Sequence, residues 1–93
     1  SSLIYMDLNK LKKQARSIEP VLRIGKNGIN ENVHTEVEKL LKIRKLVKVK
    51  ILNNCPITDF KEIIESIVQQ SQSKLILEMG NVFVIYRRGK KRV

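Results

Sequence analysis

Apolar residues recur along this chain in two rhythms, one helical and one alternating. Leu8, Leu11, Ala15 and Ile18 return every three or four positions, as on one face of a helix. The pattern predicts a first helix from Asp7, a fair N-cap, to about Ser17. Pro20 stops it and opens a short strand, Val21 to Ile24, where its missing N–H costs least. Apolar side chains on both faces of that strand predict a central place in the sheet. Val33, Val37, Leu40 and Leu41 mark a second helix, with Asn30 as N-cap and Ile29 placed to staple against its first turn.

The stretch from Leu46 to Leu52 changes rhythm. Val47, Val49 and Ile51 face one way, and Lys48, Lys50 and Leu52 the other. One face is therefore core and the other partly wet and basic, unless the lysines only guard an edge strand. After the turn Asn53-Asn54-Cys55-Pro56, a third helix is expected from about Thr58 or Asp59 to Ser71. Its broad apolar face is Phe60, Ile63, Ile64, Ile67 and Val68; Ser71-Gln72-Ser73 ends it without a glycine. Leu75 to Met79 and Val82 to Tyr86 are strands joined at Gly80-Asn81, a hairpin signal. The last strand is apolar on both faces and belongs inside the sheet.

The order helix-strand-helix-strand-helix-strand-strand predicts an α/β chain of the two-layer α+β kind, with a four-stranded mixed sheet. Right-handed crossovers join the first three strands where these run parallel as neighbours. The second and third helices share one sheet face. The strands that are apolar on both sides need cover on the other face, and only the first helix is left to supply it.

Composition adds limits. Residues 1–93 make one small domain, with 1–6 as an N-terminal extension and 88–93 as a basic tail. The apolar share of 42% suits one modest core. No apolar run approaches the ~20 residues of a membrane span, and Leu3 to Met6 is too short for a signal h-region, so a cytoplasmic protein is expected. Cys55 has no partner for an internal disulfide. One Cys and one His do not supply a four-ligand zinc site, and no metal or cofactor is expected. Asp7, Asp59, seven Glu, His34 and Cys55 suggest no nucleophile with an oriented base, so catalytic residues are not expected either.

Charge narrows the partner. Lys and Arg total 19 against 9 acidic residues, a net charge of +10. Such an excess is the footprint of a nucleic-acid binder. An anionic membrane surface competes, but no basic amphipathic helix carries Trp or Phe on its apolar face. In the second helix, Glu31, Glu36 and Glu38 precede Lys39, Lys42, Arg44 and Lys45, an order that suits the helix dipole without any ligand. On the first helix, Lys12, Lys13 and Arg16 share a flank with Asn9. That flank is either a solvated basic face or a row of phosphate contacts.

The most specific stretch is Arg23-Ile24-Gly25-Lys26-Asn27-Gly28-Ile29-Asn30, a strand-to-helix turn with two glycines three apart. Glycine tolerates positive φ and admits a second backbone. The helix start adds unpaired N–H groups and a partial positive charge. Together these suit a phosphate, as in the G-x-x-G loop with which KH domains clamp a nucleotide backbone. Without a ligand, the same residues are simply a tight turn.

In order and spacing, Leu11-Lys12 with Ala15, Pro20-Val21, Ile24-Gly25-Lys26-Asn27-Gly28, Leu46 to Leu52, Met79-Gly80 and Ile85-Tyr86-Arg87 resemble the CRM domain (chloroplast RNA splicing and ribosome maturation) and its single-domain YhbY-like members. Arg16 stands where that family often has His, and Ser71-Gln72 where it often has Thr-Gly. The resemblance implies an RNA-binding domain similar in fold to the C-terminal domain of translation initiation factor three, with a KH-like loop at Gly25, Lys26, Asn27 and Gly28. It also implies association with precursors of the large ribosomal subunit, the role of single-domain members; plant members act in group II intron splicing.

The expectation is a non-enzymatic binder of RNA, ribosomal RNA in particular, with no membrane or small-molecule partner. Amides from Gly25 to Gly28 hold one or two phosphates, and Lys26 and Arg23 add charge-assisted contacts. Lys12, Lys13 and Arg16 extend the track, and Arg87, Arg88 and the tail attract diffusely. Aromatics are too few for an RRM-type stacking platform. The rivals are a KH-like reader of a short single strand, with a hydrophobic groove beside the loop, and a protein-interaction module for an acidic partner.

Overall fold

Seven elements follow in the expected order in the computed structural model, which describes residues 2–56 and 59–87. They are α1 (Ser2–Ser17), β1 (Leu22–Ile24), α2 (Glu31–Arg44), β2 (Leu46–Ile51), α3 (Phe60–Ser71), β3 (Lys74–Met79) and β4 (Val82–Tyr86). Helix α1 begins before Asp7, which therefore lies inside it and is not its cap. No Gly or Pro upstream of Asp7 stops the helix from extending.

Helix α2 is capped as the sequence predicts, with Asn30 Oδ1 accepting from Val33 N at 3.0 Å. Helix α3 is capped by Asp59, whose Oδ1 accepts from Lys61 N at 3.1 Å; Thr58 lies outside the described residues. Both helices end on non-glycine residues at positive φ, Lys45 at 70° and Gln72 at 54°.

The strand order is β1-β2-β4-β3. Strand β1 runs parallel to β2; β4 lies antiparallel between β2 and β3. The interior place expected for the last strand is thus found. The central place expected for the first is not: β1 is an edge strand of three residues. Val21 misled the reading. It precedes the strand and packs into the main core with Leu22 and Ile24, so Arg23 is the only β1 side chain on the opposite face. The crossover expectation holds as a parallel neighbour pair for β1 and β2 only, because β4 separates β2 from β3. At the hairpin, Gly80 takes φ 59° and Met79 pairs with Val82 across two residues.

Two apolar clusters flank the sheet. The larger joins Val37 and Leu41 of α2 and Ile63, Ile64 and Ile67 of α3 to Val47, Val49, Ile51, Phe83 and Ile85. The smaller joins Ala15, with Leu8, Leu11 and Ile18, to Ile76, Val84 and neighbours on the other face. Helix α1 therefore covers the second face as expected. The sheet lies between helices, one layer more than the two-layer class implies.

The edge-guard account of Lys48 and Lys50 fails, because β2 has a partner on each side. Lys48 is 7% exposed beneath α1, and its Nζ donates to Ile18 O at 3.0 Å. Only Lys50 retains partial access to water. The wet basic face is thus half of what the alternation suggests.

Candidate nucleic-acid interface

The loop from Gly25 to Gly28 leaves β1 and enters α2 at one end of the sheet. Gly28 N donates to Gly25 O at 2.9 Å, closing a turn. Gly28 is buried at φ 64°, a conformation that L side chains rarely adopt. Gly25 serves differently: a Cβ there would sit 3.4 Å from Asn54 Oδ1 and 3.5 Å from Leu52 Cδ1, ordinary contacts. Lys26 and Asn27 between them are exposed.

The Asn30 side chain satisfies Val33 N, and His34 N donates to Asn30 O at 3.2 Å. Among the described residues, no protein acceptor is assigned to the amides of Lys26, Asn27, Glu31 or Asn32. These amides belong to the loop and to the first turn of α2, where the helix dipole favours an anion. An open concavity of about 320 Å³ adjoins them, with Leu22, Val33, Asn30, Asn32 and Glu36 in its lining. Its α2 wall thus carries a carboxylate, while Lys26 and Arg23 stand on the loop side.

The remaining candidates do not gather here. Lys12, Lys13 and Arg16 lie on α1, which packs against β2 and β3 on the other sheet face. Arg87 lies at the far end of the sheet, its N donating to Lys45 O at 3.0 Å. Its Nη1 sits 3.0 and 2.9 Å from the two Glu38 oxygens and 3.0 Å from Ser71 O. That guanidinium ties the end of β4 to α2 and α3. Arg88 and the tail lie outside the described residues.

Sequence reasoning missed Asn54, which borders Gly25 from the turn after β2. Only the parallel pairing of β1 and β2, with Leu52 N donating to Ile24 O at 2.8 Å, brings that turn to the loop. It also set Lys50 aside, although Lys50 pairs with Arg23. Among the described residues, no three His, Cys, Asp or Glu form a metal-binding group. No helix there is long and apolar enough to cross a membrane.

The CRS1/YhbY (CRM) domain model matches residues 6–87. Probable RNA-binding protein YqeI of Bacillus subtilis is 33% identical over 81 residues, covering 87% of this chain and 83% of that one. An RNA-binding protein of Haemophilus influenzae is 34% identical over 77 residues, covering 83% of this chain and 77% of its own. The solution structure of the hypothetical protein SAV1595 from Staphylococcus aureus superposes with a TM-score of 0.73 at 36% identity, covering 92% of this chain and 88% of the other. With a family match over most of its length and the same fold in a relative above 30% identity, this chain belongs to the CRS1/YhbY (CRM) domain family.

Proposed function

We propose that this protein is a non-enzymatic RNA-binding module acting on ribosomal RNA during large-subunit assembly. The observation that carries the reading is the Gly25–Gly28 turn at the start of α2. There, amides without a protein acceptor lie beside exposed Lys26 and Arg23, which line the same concavity. A phosphate seated there would accept from these amides, and the net charge of +10 draws a polyanion toward it. The relatives named as RNA-binding proteins support RNA as that polyanion. The ribosomal assignment rests on the resemblance to single-domain family members.

Lys12, Lys13 and Arg16 then form a separate basic surface on α1, suited to diffuse attraction. Arg87 is better assigned to holding the fold, since its guanidinium is already engaged.

A second reading is favoured by the concavity beside the loop. Leu22 and Val33 give it apolar wall, and Asn32 and Glu36 can hydrogen-bond base edges. This is the groove expected of a KH-like reader of short single strands. Random-sequence selection separates the two readings: a sharp four-base consensus supports the second. The experiment for the first is ultraviolet crosslinking in cells with sequencing of the bound RNA. Reads concentrated on large-subunit ribosomal RNA precursors are expected. A distribution that follows transcript abundance, with no ribosomal enrichment, refutes the assembly role.

A further inference from the structure

The described side chains of α1, from Leu8 onward, pack on only part of the sheet face. They meet Leu46, Ile76, Leu77, Val84 and Tyr86. The next row toward the loop is Arg23, Lys50, Val82 and Met79, aligned by strand pairing: Arg23 with Lys50, Lys50 with Val82, and Val82 with Met79. All four side chains point to the α1 side. The residues flanking them, Leu22, Ile24, Val49, Ile51 and Phe83, pack in the opposite cluster, and strand side chains alternate. Arg23 is exposed, Lys50 and Val82 are half-buried, and Met79 is 47% exposed. The row is therefore open, cationic at the β1 edge and apolar at the β3 edge.

It is also continuous with the loop. Leu52, on the same face as Lys50, stands 3.5 Å from where a Gly25 Cβ would be. No carboxylate lies in the row. Glu78, beside Met79, pairs with Phe83 and so faces the other side. The concavity across the loop has Glu36 in its wall, together with Lys26 and Arg23. On the sheet side a polyanion leaving the loop meets Arg23 and Lys50 with no carboxylate between them, whereas on the α2 side Glu36 opposes Lys26 and Arg23.

We propose that a single-stranded RNA segment leaving the Gly25–Gly28 loop lies across this row, with its phosphates on Arg23 and Lys50 and its bases against Val82 and Met79. The inference rests on the RNA-binding reading above and deepens it. Four strands at ~4.8 Å spacing give a platform about 14 Å wide, similar to the four-stranded sheets on which RRM domains seat two or three bases. Here the base contacts are aliphatic, and the polarizable thioether of Met79 adapts to any base face. Arginine adds a planar group that grips phosphate in a fork, and lysine a point charge. A duplex presents no base faces and gains nothing from the apolar half.

The test is fluorescence anisotropy with an oligouridylate of about 12 nucleotides, titrated between ~50 and ~200 mM salt. The variants are Lys50→Ala, Met79→Ala, Gly25→Asp and, as a charge-matched control on α3, Lys61→Ala. Thermal melts check that each is folded. Lys50→Ala is expected to weaken binding roughly fivefold and to reduce the salt slope by about 0.7, the loss of one single-strand phosphate contact. Met79→Ala is expected to weaken the single strand at unchanged slope and to leave a duplex probe unaffected. Lys61→Ala should change neither. Crosslinks from 4-thiouridine in the probe should fall on the Met79–Val82 peptide.

If Lys50→Ala and Met79→Ala bind like the parent while Gly25→Asp loses binding, the row is unused and the loop reading stands alone. Crosslinks confined to Asn30–Glu36 would likewise move the strand into the concavity and overturn the inference. Equal losses with poly-glutamate as the probe would make the row a site for acidic protein. A parent protein with no RNA affinity removes both readings.

Discussion

The ammonium of Lys48, buried in the middle of the sheet, donates to the carbonyl of Ile18 at 3.0 Å, just beyond the end of α1. A cation at a helix C-terminus meets the negative end of the dipole and an orphan carbonyl at once. This contact joins residues 30 positions apart and fastens α1 to β2.

Replacing Lys48 by Met keeps the buried stem and removes the cap. Stability should fall by about 1–2 kcal/mol, read as a lower urea midpoint at unchanged m-value. RNA affinity of the folded protein should not change, because the group does not reach the surface. A variant as stable as the parent would mean that water or the rest of the chain satisfies Ile18 O equally well.

The two loop glycines should respond differently. At Gly25 an added Cβ makes only ordinary contacts, so Gly25→Asp should fold and should bind RNA far more weakly, by repulsion of the phosphate. Gly28→Ala adds no charge but forces a side chain into φ 64° at a buried position, and should cost roughly 1–2 kcal/mol. Melting curves and binding isotherms on the same samples separate strain from repulsion. If Gly25→Asp melts early, its binding loss says nothing about the loop as a phosphate site.

Arg87 and Glu38 offer a control for the basic surface. Glu38 is well hydrated, with a side-chain exposure of 42%, so the pair should contribute only about 0.5–1 kcal/mol. A double-mutant cycle with Arg87→Ala and Glu38→Ala should recover a coupling of that size. RNA affinity should fall less in Arg87→Ala than in Arg23→Ala. The reverse order would place the RNA at the far end of the sheet.

Helix α3 ends on Gln72 at φ 54°, where glycine carries no Cβ penalty. Gln72→Gly should raise stability by up to about 1 kcal/mol, since the relief of strain is partly offset by a more flexible unfolded chain. Chemical denaturation checks this, and a fall in midpoint would show that the Gln72 side chain contributes more than its backbone costs.

Binding should be strongly salt-dependent. With six to ten phosphates contacted, affinity should drop roughly 10³–10⁵-fold between 50 and 200 mM salt. A nearly flat dependence would remove the electrostatic basis of the interface.

Much of this molecule was legible in local sequence. The Asn30 cap, the start of α3 near Asp59, the apolar stripes of α2 and α3, the Gly80-Asn81 hairpin and the glycine turn at Gly25–Gly28 all depend on neighbours within a few positions. Helix periodicity, capping and turn chemistry act at that range. The misses have the opposite character. Val21 made β1 look doubly apolar, although it lies before the strand; the paired lysines of β2 looked alike, although one is buried and the other is not.

The sequence by itself determined the order of elements, the faces the helices bury and the glycine turn before α2, because each is written in short-range spacing. Only the tertiary structure decided that β4 lies between β2 and β3, that Lys48 is covered by α1, that Arg87 reaches Glu38 across 49 positions, and that Arg23, Lys50, Val82 and Met79 line up. Those outcomes follow from which strands pair and in what register, and a pairing between distant segments leaves no periodic trace in either one.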